Sequence, residues 1–204
     1  MIYAVVKRLF DIVFSLVGLV LLLPTTLIIK VVYCFTGDFH PIFYKQERVG
    51  KKGKKFKILK FRSMSWDADQ KLEKLLAKEK YRKQWEEYQK IDDDPRVTKV
   101  GKFIRTGSID EMPQFINVFL GQMSVVGPRP LVPGELRLHK GDEKKYTSVK
   151  PGITGYWAMR GRSNNDYEER LKLEYYYIDN RSIKLDCKIL LKTLDVVFRK
   201  EGAK

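Results

Sequence analysis

A long apolar run near the N-terminus constrains the fold more than any other feature of this sequence. From Leu9 to Phe35 the residues are almost entirely apolar, interrupted by Asp11, a few small hydroxyl residues and one lysine. A helix needs about 20 apolar residues to cross about 30 Å of hydrocarbon, so the run is long enough for a membrane helix. Pro24 stands in its middle and removes a backbone hydrogen bond, which predicts a kink or break near Leu22 to Pro24.

Basic residues flank this run on both sides. Lys7 and Arg8 precede it, and six basic residues follow it: Lys45, Arg48, Lys51, Lys52, Lys54 and Lys55. The positive-inside tendency therefore places both ends on the cytoplasmic side, and the segment is too short for two full crossings. We interpret it as a re-entrant helix over residues 1–36, with arms of about 12 residues that enter and leave one leaflet. A plain spanning anchor is the alternative. A signal peptide is excluded, because no small-residue cleavage site follows the run.

Composition limits the classes of partner and site. The 204 residues suffice for one compact domain with an appended segment. Forty Lys and Arg against 25 Asp and Glu give a formal net charge of +15, which indicates phosphorylated ligands, anionic lipid or nucleic acid. The two cysteines and two histidines are far apart, which excludes a zinc motif and a disulfide framework. Apolar surroundings favour buried, unreactive roles for Cys34 and Cys187.

The remaining chain predicts a mostly helical α/β domain over residues 37–204. Two short strands joined by a turn at Gly50 to Gly53 form a basic hairpin. Ser65 caps a charged helix over residues 66–90, which we interpret as a solvated structural arm, and Asp92 to Asp94 form a loop. The segment from Ile183 to Phe198 predicts an amphipathic helix, for which a membrane surface and ordinary core packing are equally good explanations. Its lysines recur beside the apolar stripe, at positions 184, 188 and 192.

An acidic pair, Asp110 and Glu111, lies just before another helix. Pro113 is tolerated only in a first helical turn, so the pair is expected at or near the N-cap, and Gly121 ends the helix in the left-handed conformation. A helix N-terminus favours an ionised carboxylate and also attracts phosphate. A plain capping role for Asp110 is the simpler interpretation of the residues alone.

The pair could also carry chemistry. A carboxylate is a competent nucleophile toward phosphorus, and a neighbouring carboxylate can hold a divalent ion or move a proton. Attack of one anion on another requires cations that neutralise the phosphoryl oxygens. Candidate phosphate or nucleotide contacts are Lys60, Arg62, Arg105 and Arg129, and the prolines beside Arg129 place it rigidly.

Five stretches of the sequence resemble the monotopic phosphoglycosyl transferases, also called bacterial sugar transferases or undecaprenyl-phosphate glycosyl-1-phosphate transferases. They are KRLFD, QERVGKKGKKFKILKFRSM, VGKFIRTGSIDEMPQFINVFLGQMSVVGPRP, VKPGITGYWAMRGR and YYIDNRSIKLDCKILLKT. Together they cover nearly the whole chain, which resembles the minimal, catalytic-domain-only form of the family. One departure is that relatives often have Ser-Pro at the membrane-helix break, whereas this chain has Leu23-Pro24, so that Thr25 or Thr26 would have to supply the hydroxyl.

The resemblance implies a re-entrant helix broken at Pro24 and a catalytic domain on the cytoplasmic face of the bacterial inner membrane. It implies that Asp110 is a nucleophile forming a covalent phosphosugar intermediate, with Glu111 as its partner and Mg²⁺ held by one or both carboxylates. The donor would be a UDP-sugar, from which UMP is released, and the acceptor polyprenyl phosphate. The C-terminal part, from KPGITG to EGAK, resembles enzymes that transfer hexose-1-phosphate, such as glucose or galactose.

Two other classes remain. In a basic membrane-anchored lipid-binding scaffold, Asp110 would be only a cap and the cations would bind anionic headgroups. Nucleic-acid binding is disfavoured, because such a module needs no bilayer-length apolar segment. The sequence leaves open whether the protein forms a homodimer.

Overall fold

The computed structural model describes residues 2–88, 91–139, 141–160 and 167–198. The described chain is mostly helical with small two-stranded sheets, which confirms the expected fold class. In chain order the elements are α1 (Ile2–Phe35), β1 (Phe43–Val49), β2 (Lys55–Phe61), α2 (Ala68–Leu76), α3 (Glu79–Tyr88), α4 (Lys99–Thr106), α5 (Gln114–Phe119), β3 (Ser124–Val126), α6 (Glu143–Tyr146), β4 (Gly152–Thr154), α7 (Tyr156–Met159), α8 (Tyr167–Asn180) and α9 (Ile183–Phe198).

The predicted basic hairpin is confirmed. Strands β1 and β2 pair antiparallel, with Phe43 opposite Phe61 and Val49 opposite Lys55. The turn between them takes left-handed backbone at Lys52 (φ 58°) and Gly53 (φ 73°), a conformation that glycine adopts without steric cost.

A second pair of strands was not predicted. Strands β3 and β4 pair in parallel, with Ser124 opposite Gly152 and Val126 opposite Thr154. All three residues of β3 are buried, in a core that also contains Ile58, Val118, Met123, Tyr177 and Ile189. Three residues are too few for strand alternation to be recognised in the sequence.

The prediction of a single helix over residues 66–90 is wrong. The structure has two helices, α2 and α3, and the N-cap of α2 is Asp67 rather than Ser65. The backbone of Ser65 instead accepts a hydrogen bond from Ala68 N. Helix α2 buries no residue, so tertiary packing does not hold the two helices in one continuous rod. Residues 89 and 90 lie outside the described residues, as do the side chains of Tyr88, Val197 and Phe198 and the C-terminal EGAK.

Helix α1 runs without interruption through Pro24, so the helix does not end there. The other form of the prediction, a kink within a continuous helix, stays a prediction. Two hydroxyls follow the proline: Thr25 Oγ1 donates to Leu21 O (2.8 Å) and Thr26 Oγ1 donates to Leu22 O (2.7 Å). These bonds supply partners to carbonyls in the turn that a proline disturbs. Neither bond reaches Val20 O, the carbonyl that loses its donor at Pro24, so the expected substitution of threonine for the missing serine stays a prediction.

One face of α1 packs on the rest of the chain, and the other is exposed and apolar. Its buried residues form a stripe of Asp11, Ser15, Gly18, Leu22, Ile29 and Tyr33. At Gly18 the contact is so close that a Cβ atom would lie 2.3 Å from Phe115. The helix is long and apolar enough to cross a membrane.

Helix α9 has the predicted bounds and is anchored in the core by Ile189. Leu191 and Leu194 are exposed beside its lysines, so the apolar stripe is only partly used for packing. The expected burial of the cysteines is wrong, since Cys187 is exposed and Cys34 is only half-buried.

Candidate active site

The acidic pair lies in a short 3₁₀ turn, Ile109–Glu111, that precedes α5. Ser108 has left-handed backbone (φ 54°) before this turn, and Pro113 is the N-cap of α5. The expected start of the helix at the proline is confirmed, as is the left-handed Gly121 (φ 77°) after it. The pair was expected at or near the N-cap. Asp110 and Glu111 lie just before it, since Pro113 itself occupies the cap position.

Lys60, on strand β2, lies beside the acidic pair. Its Nζ lies 3.0 Å from Glu111 Oε1 and 3.8 Å from Asp110 Oδ2. Lys60 is therefore one of the predicted cations that the structure brings to the acidic pair.

Asp110 is the more enclosed of the two carboxylates, with 13% of its side chain exposed against 37% for Glu111. Burial raises its pKa to about 6, and the nearby negative charge of Glu111 also raises it, while Lys60 and Arg105 lower it. The helix terminus was expected to hold the carboxylate ionised, but burial outweighs that effect here. At neutral pH the group is mostly ionised and poorly hydrated.

Arg105 is positioned from α4. Its Nε donates to Ser63 Oγ at 2.8 Å, and its charge lowers the pKa of Asp110. No hydrogen bond joins its two terminal nitrogens to any other described residue. Because those nitrogens form the forked end of the guanidinium, Arg105 can contact a phosphate beside Asp110. The positioning role of Ser63 was not predicted, since a short polar residue after a strand gives no distinctive signal.

Arg62 has a different environment. It is buried, with Nη1 and Nη2 on the carboxylate oxygens of Asp38 (2.8 and 2.9 Å) and Nε on Pro41 O (2.8 Å). Its guanidinium also lies 4.8 Å from the ring centroid of Tyr33. The structure does not bring Arg62 to the acidic pair, because these partners hold its side chain at the C-terminal end of α1.

Arg129 also lies apart from the pair. Its backbone is held at both ends, since Arg129 N donates to Glu174 Oε1 (3.2 Å) and its carbonyl accepts from Tyr146 (2.9 Å). Its Nη1 lies 2.8 Å from Glu135 Oε1. The backbone of Arg129 is thus hydrogen-bonded on both sides, but its side chain contacts a carboxylate that the sequence did not connect with it.

Asn117 is a buried residue that the sequence gave no reason to select. Its amide donates to Lys57 O (2.9 Å), and its Oδ1 accepts from Leu59 N (3.0 Å). These bonds fasten α5 to β2, and thereby fix Lys60 relative to the turn that carries the acidic pair.

The acidic pair is chemically suited to a magnesium ion. The described residues contain no group of three or more His, Cys, Asp or Glu side chains that could hold a metal. Mg²⁺ commonly binds one or two carboxylates and takes its other ligands from water and substrate phosphates. Two adjacent carboxylates, one of them with a pKa raised by burial, fit that donor set.

Comparison with known proteins identifies relatives along almost the whole chain. The family model described as bacterial sugar transferase matches residues 2–200. The chain is 43% identical over 97% of its length to a UDP-galactose-lipid carrier transferase of Erwinia amylovora and to an undecaprenyl-phosphate galactose phosphotransferase of Salmonella typhimurium.

The extent of the match differs among relatives. The chain spans 41% of the length of those two proteins. The exopolysaccharide production protein ExoY of Sinorhizobium fredii is 37% identical over 97% of this chain and 87% of its own length. On this evidence of sequence, and with the acidic pair placed beside Lys60 and Arg105, the chain belongs to the bacterial sugar transferase family.

Proposed function

We propose that this protein transfers a hexose-1-phosphate from a UDP-sugar to polyprenyl phosphate and releases UMP, as the first membrane step of polysaccharide assembly. The observation that carries the proposal is the largely enclosed Asp110 carboxylate, which lies 3.8 Å from Lys60 and within the field of Arg105. The names of the relatives support the reaction class, because they describe sugar-phosphate transfer to undecaprenyl phosphate.

In the first step, a carboxylate oxygen of Asp110 attacks the phosphorus that carries the sugar. The bond from that phosphorus to the bridging oxygen breaks, and UMP leaves with the electron pair. Lys60 and Arg105 offset the negative charge of the phosphoryl oxygens as the two anions approach. The low hydration of the largely enclosed carboxylate favours the attack, since little solvent must be displaced.

In the second step, a phosphate oxygen of polyprenyl phosphate attacks the same phosphorus. The acyl-phosphate bond breaks, and the Asp110 carboxylate is restored. Glu111 is more exposed than Asp110 and contacts Lys60 at 3.0 Å, so it orients the ammonium group toward the reacting phosphate.

We assign Mg²⁺ to Asp110 and Glu111, whose oxygens match its preference. When bound, the ion would polarise the phosphate and neutralise charge on the leaving UMP.

The packing of α1 supports a re-entrant position in the membrane, with residues 1–36 as the membrane segment and residues 37–204 as the catalytic domain on the cytoplasmic face. Near one end, Tyr3 donates to Asp186 of α9 (3.2 Å), and near the other, Tyr33 donates to the carbonyl of Arg62. Contacts with one domain at both ends of the helix favour a position in which both ends lie on the same side of the bilayer.

The test is release of UMP by purified protein with magnesium, a UDP-sugar and a polyprenyl phosphate. Asp110→Asn should lower the rate by at least about 10³-fold, because the nucleophile is lost. Glu111→Gln is the matched control, which should still form the covalent phosphosugar adduct visible by mass spectrometry of the intact protein. If Asp110→Asn turns over at the wild-type rate, the nucleophile is wrong. If the wild type releases no UMP from any UDP-sugar, the lipid-binding scaffold is the better description.

A further inference from the structure

Three arginines gather around one carboxylate at the end of β1. Arg129 Nη1 lies 2.8 Å from Glu135 Oε1, and Arg170 Nη2 lies 3.2 Å from the same oxygen. Arg48 lies beside them, with Nη1 donating to Pro130 O at 3.2 Å. Strand β1 therefore meets the loop after β3 in a group of strongly basic side chains.

This group contains buried donors that have no partner within the described part of the chain. They are Arg48 Nε, Arg170 Nε and the hydroxyl of Tyr167. The Arg170 guanidinium lies 4.7 Å from the ring centroid of Tyr167, so the unpartnered donors of α8 are adjacent. Buried polar groups are nearly always hydrogen-bonded, so donors left without partners indicate a missing acceptor.

The charges in the arginine cluster also indicate a missing anion. Glu135 forms ion pairs with both Arg129 and Arg170. A second carboxylate, Glu174, accepts hydrogen bonds from Arg129 N and from the Tyr146 hydroxyl. Burial, followed by the positive charge of Arg129, lowers the pKa of Arg48 to about 10. Guanidinium groups this close repel each other. Glu135, which is the carboxylate that pairs with Arg129 and Arg170, carries one negative charge for the two of them.

The cluster and the acidic pair share one face of the hairpin. Tyr44 on β1 lies opposite Lys60 on β2, and Arg48 lies four residues further along β1. Side chains two or four residues apart in a strand point to the same face, so the two positions are about 13 Å apart on that face. Glu111 of the pair is close enough to raise the pKa of Arg48, so the arginine cluster adjoins the acidic pair on this face. A phosphate held by the arginines would be a second phosphate, next to the one that Asp110 attacks.

We propose that Arg48, Arg129 and Arg170, with the Tyr167 hydroxyl, form an anion site for a phosphate group of a substrate. Forked guanidinium donors suit a tetrahedral phosphate. Glu135 acts as the resident counter-ion, which holds Arg129 and Arg170 in place and competes with the incoming phosphate for their donors. The identity of the two candidate ligands, a nucleotide phosphate and a polyprenyl phosphate, rests on the proposed function.

The test measures equilibrium binding by calorimetry, without turnover, on the full chain in lipid nanodiscs. The probes are UMP, a short-chain prenyl phosphate and inorganic phosphate. Arg170→Gln should weaken binding of one of the two organic phosphates by about tenfold or more, since it removes a charge-assisted contact. Arg170→Lys keeps the charge but loses the fork, and should fall between the wild type and Arg170→Gln.

Glu135→Gln should have the opposite effect and tighten binding of the same probe, because a competing negative charge is removed while the acceptor for Val132 N is kept. Arg181→Gln is the control for charge, at the other end of α8, and should bind as the wild type does. Weaker binding by Arg170→Gln together with tighter binding by Glu135→Gln distinguishes ligand binding from a structural role. Loss of a purely structural ion pair would weaken binding in both variants.

The affected probe identifies the source of the phosphate. An effect on UMP assigns the site to the donor, and an effect on prenyl phosphate assigns it to the acceptor. The site is disproved if the wild type binds none of the probes, if Arg170→Gln binds them as the wild type does, or if Glu135→Gln weakens binding. If binding responds as expected while Asp110→Asn still releases UMP, the anion site stands and the proposed chemistry fails.

Discussion

Residues of one type have different roles in this protein because their surroundings differ. Asp38 lies against the Arg62 guanidinium, whose hydrogen bonds outweigh the opposing effect of burial and lower the pKa of Asp38. Lys60 Nζ lies 3.8 Å from Asp110 Oδ2. At this distance the cation lowers the pKa of Asp110 less than burial raises it. The first aspartate stabilises the fold as an ion pair, whereas the second is left available for chemistry.

The raised pKa of Asp110 predicts a pH-dependent stability difference. A carboxyl whose pKa is about 6 in the folded protein binds its proton more tightly than in the unfolded chain. The resulting stabilisation is complete below the unfolded pKa of about 4 and is lost as the pH rises through about 6. In the absence of metal, Asp110→Asn should therefore raise Tm by several degrees at pH 8, corresponding to at most about 3 kcal/mol, and by much less at pH 4.5.

Thermal unfolding in EDTA at the two pH values measures this effect. Asp179→Asn replaces an exposed carboxylate that pairs with Lys145 at 2.9 Å, and should show no gain at pH 8. A lower Tm for Asp110→Asn at pH 8 would mean that Lys60 and Arg105 stabilise the ionised carboxylate more than burial destabilises it.

At the scale of elements, short helices position the site through close backbone contacts. Helix α5 is fastened to β2 by Asn117, and its C-terminal carbonyls, Val118 O and Phe119 O, accept from Arg8 of α1 at 2.8 Å each. Helix α4 is capped by Thr98, whose side chain accepts from Gly101 N. The site therefore depends on how α1, α4 and α5 pack on the hairpin.

Gly101 is the contact through which α4 approaches the end of β2. A Cβ atom there would lie 1.8 Å from Ser63 O, a backbone atom that cannot rotate away. Gly101→Ala should therefore displace α4, move Arg105 away from Ser63, and destabilise the protein by about 2 kcal/mol or more. Chemical denaturation and the rate of UMP release measure the two effects.

Gly107→Ala is the matched control at the other end of α4. A Cβ atom at position 107 would first meet side-chain atoms of Ile109 at 3.1 Å, and these can shift. Its cost in stability should be clearly smaller. Equal destabilisation by the two substitutions would show that the close approach of Gly101 to Ser63 is not important.

At the scale of the whole molecule, α1 is part of the fold and is also the proposed membrane segment. Its 34 residues would span about 51 Å as a straight helix, which exceeds the hydrocarbon thickness of about 30 Å. Near its N-terminus, Asp11 accepts from Ser124 Oγ and Val125 N, at 2.8 and 2.9 Å. The stripe that faces the domain is thus specific and polar in part, while the exposed apolar surface suits lipid.

Labelling of single cysteines tests the arrangement of this helix. In a background with Cys34 and Cys187 replaced by Ser, Ala4→Cys and Thr36→Cys should both react with an impermeant maleimide from the cytoplasmic side. Leu23→Cys, on the exposed apolar face, should be protected by lipid. Labelling of positions 4 and 36 from opposite sides of the membrane would show a spanning helix instead.

The sequence by itself determined the features that depend on neighbouring residues. The membrane-length helix, the hairpin with its glycine turn, the start of α5 at Pro113 and its end at Gly121 follow from local backbone preferences and from hydrophobic periodicity. The sequence selected the acidic pair and four candidate cations, Lys60, Arg62, Arg105 and Arg129, of which the structure brings Lys60 and Arg105 to the pair. Their roles in catalysis remain predictions.

Only the tertiary structure decided the features that depend on distant parts of the chain. Arg62 pairs with Asp38 and Arg129 pairs with Glu135, and no local pattern of residues links either arginine with its carboxylate. The pairing of β3 with β4 and the hydrogen bonds of Asn117 join residues far apart in the sequence. Burial of Asp110, which sets its pKa, is likewise produced by packing. Burial and charge pairing depend on three-dimensional proximity, and a local pattern of residues does not encode that proximity.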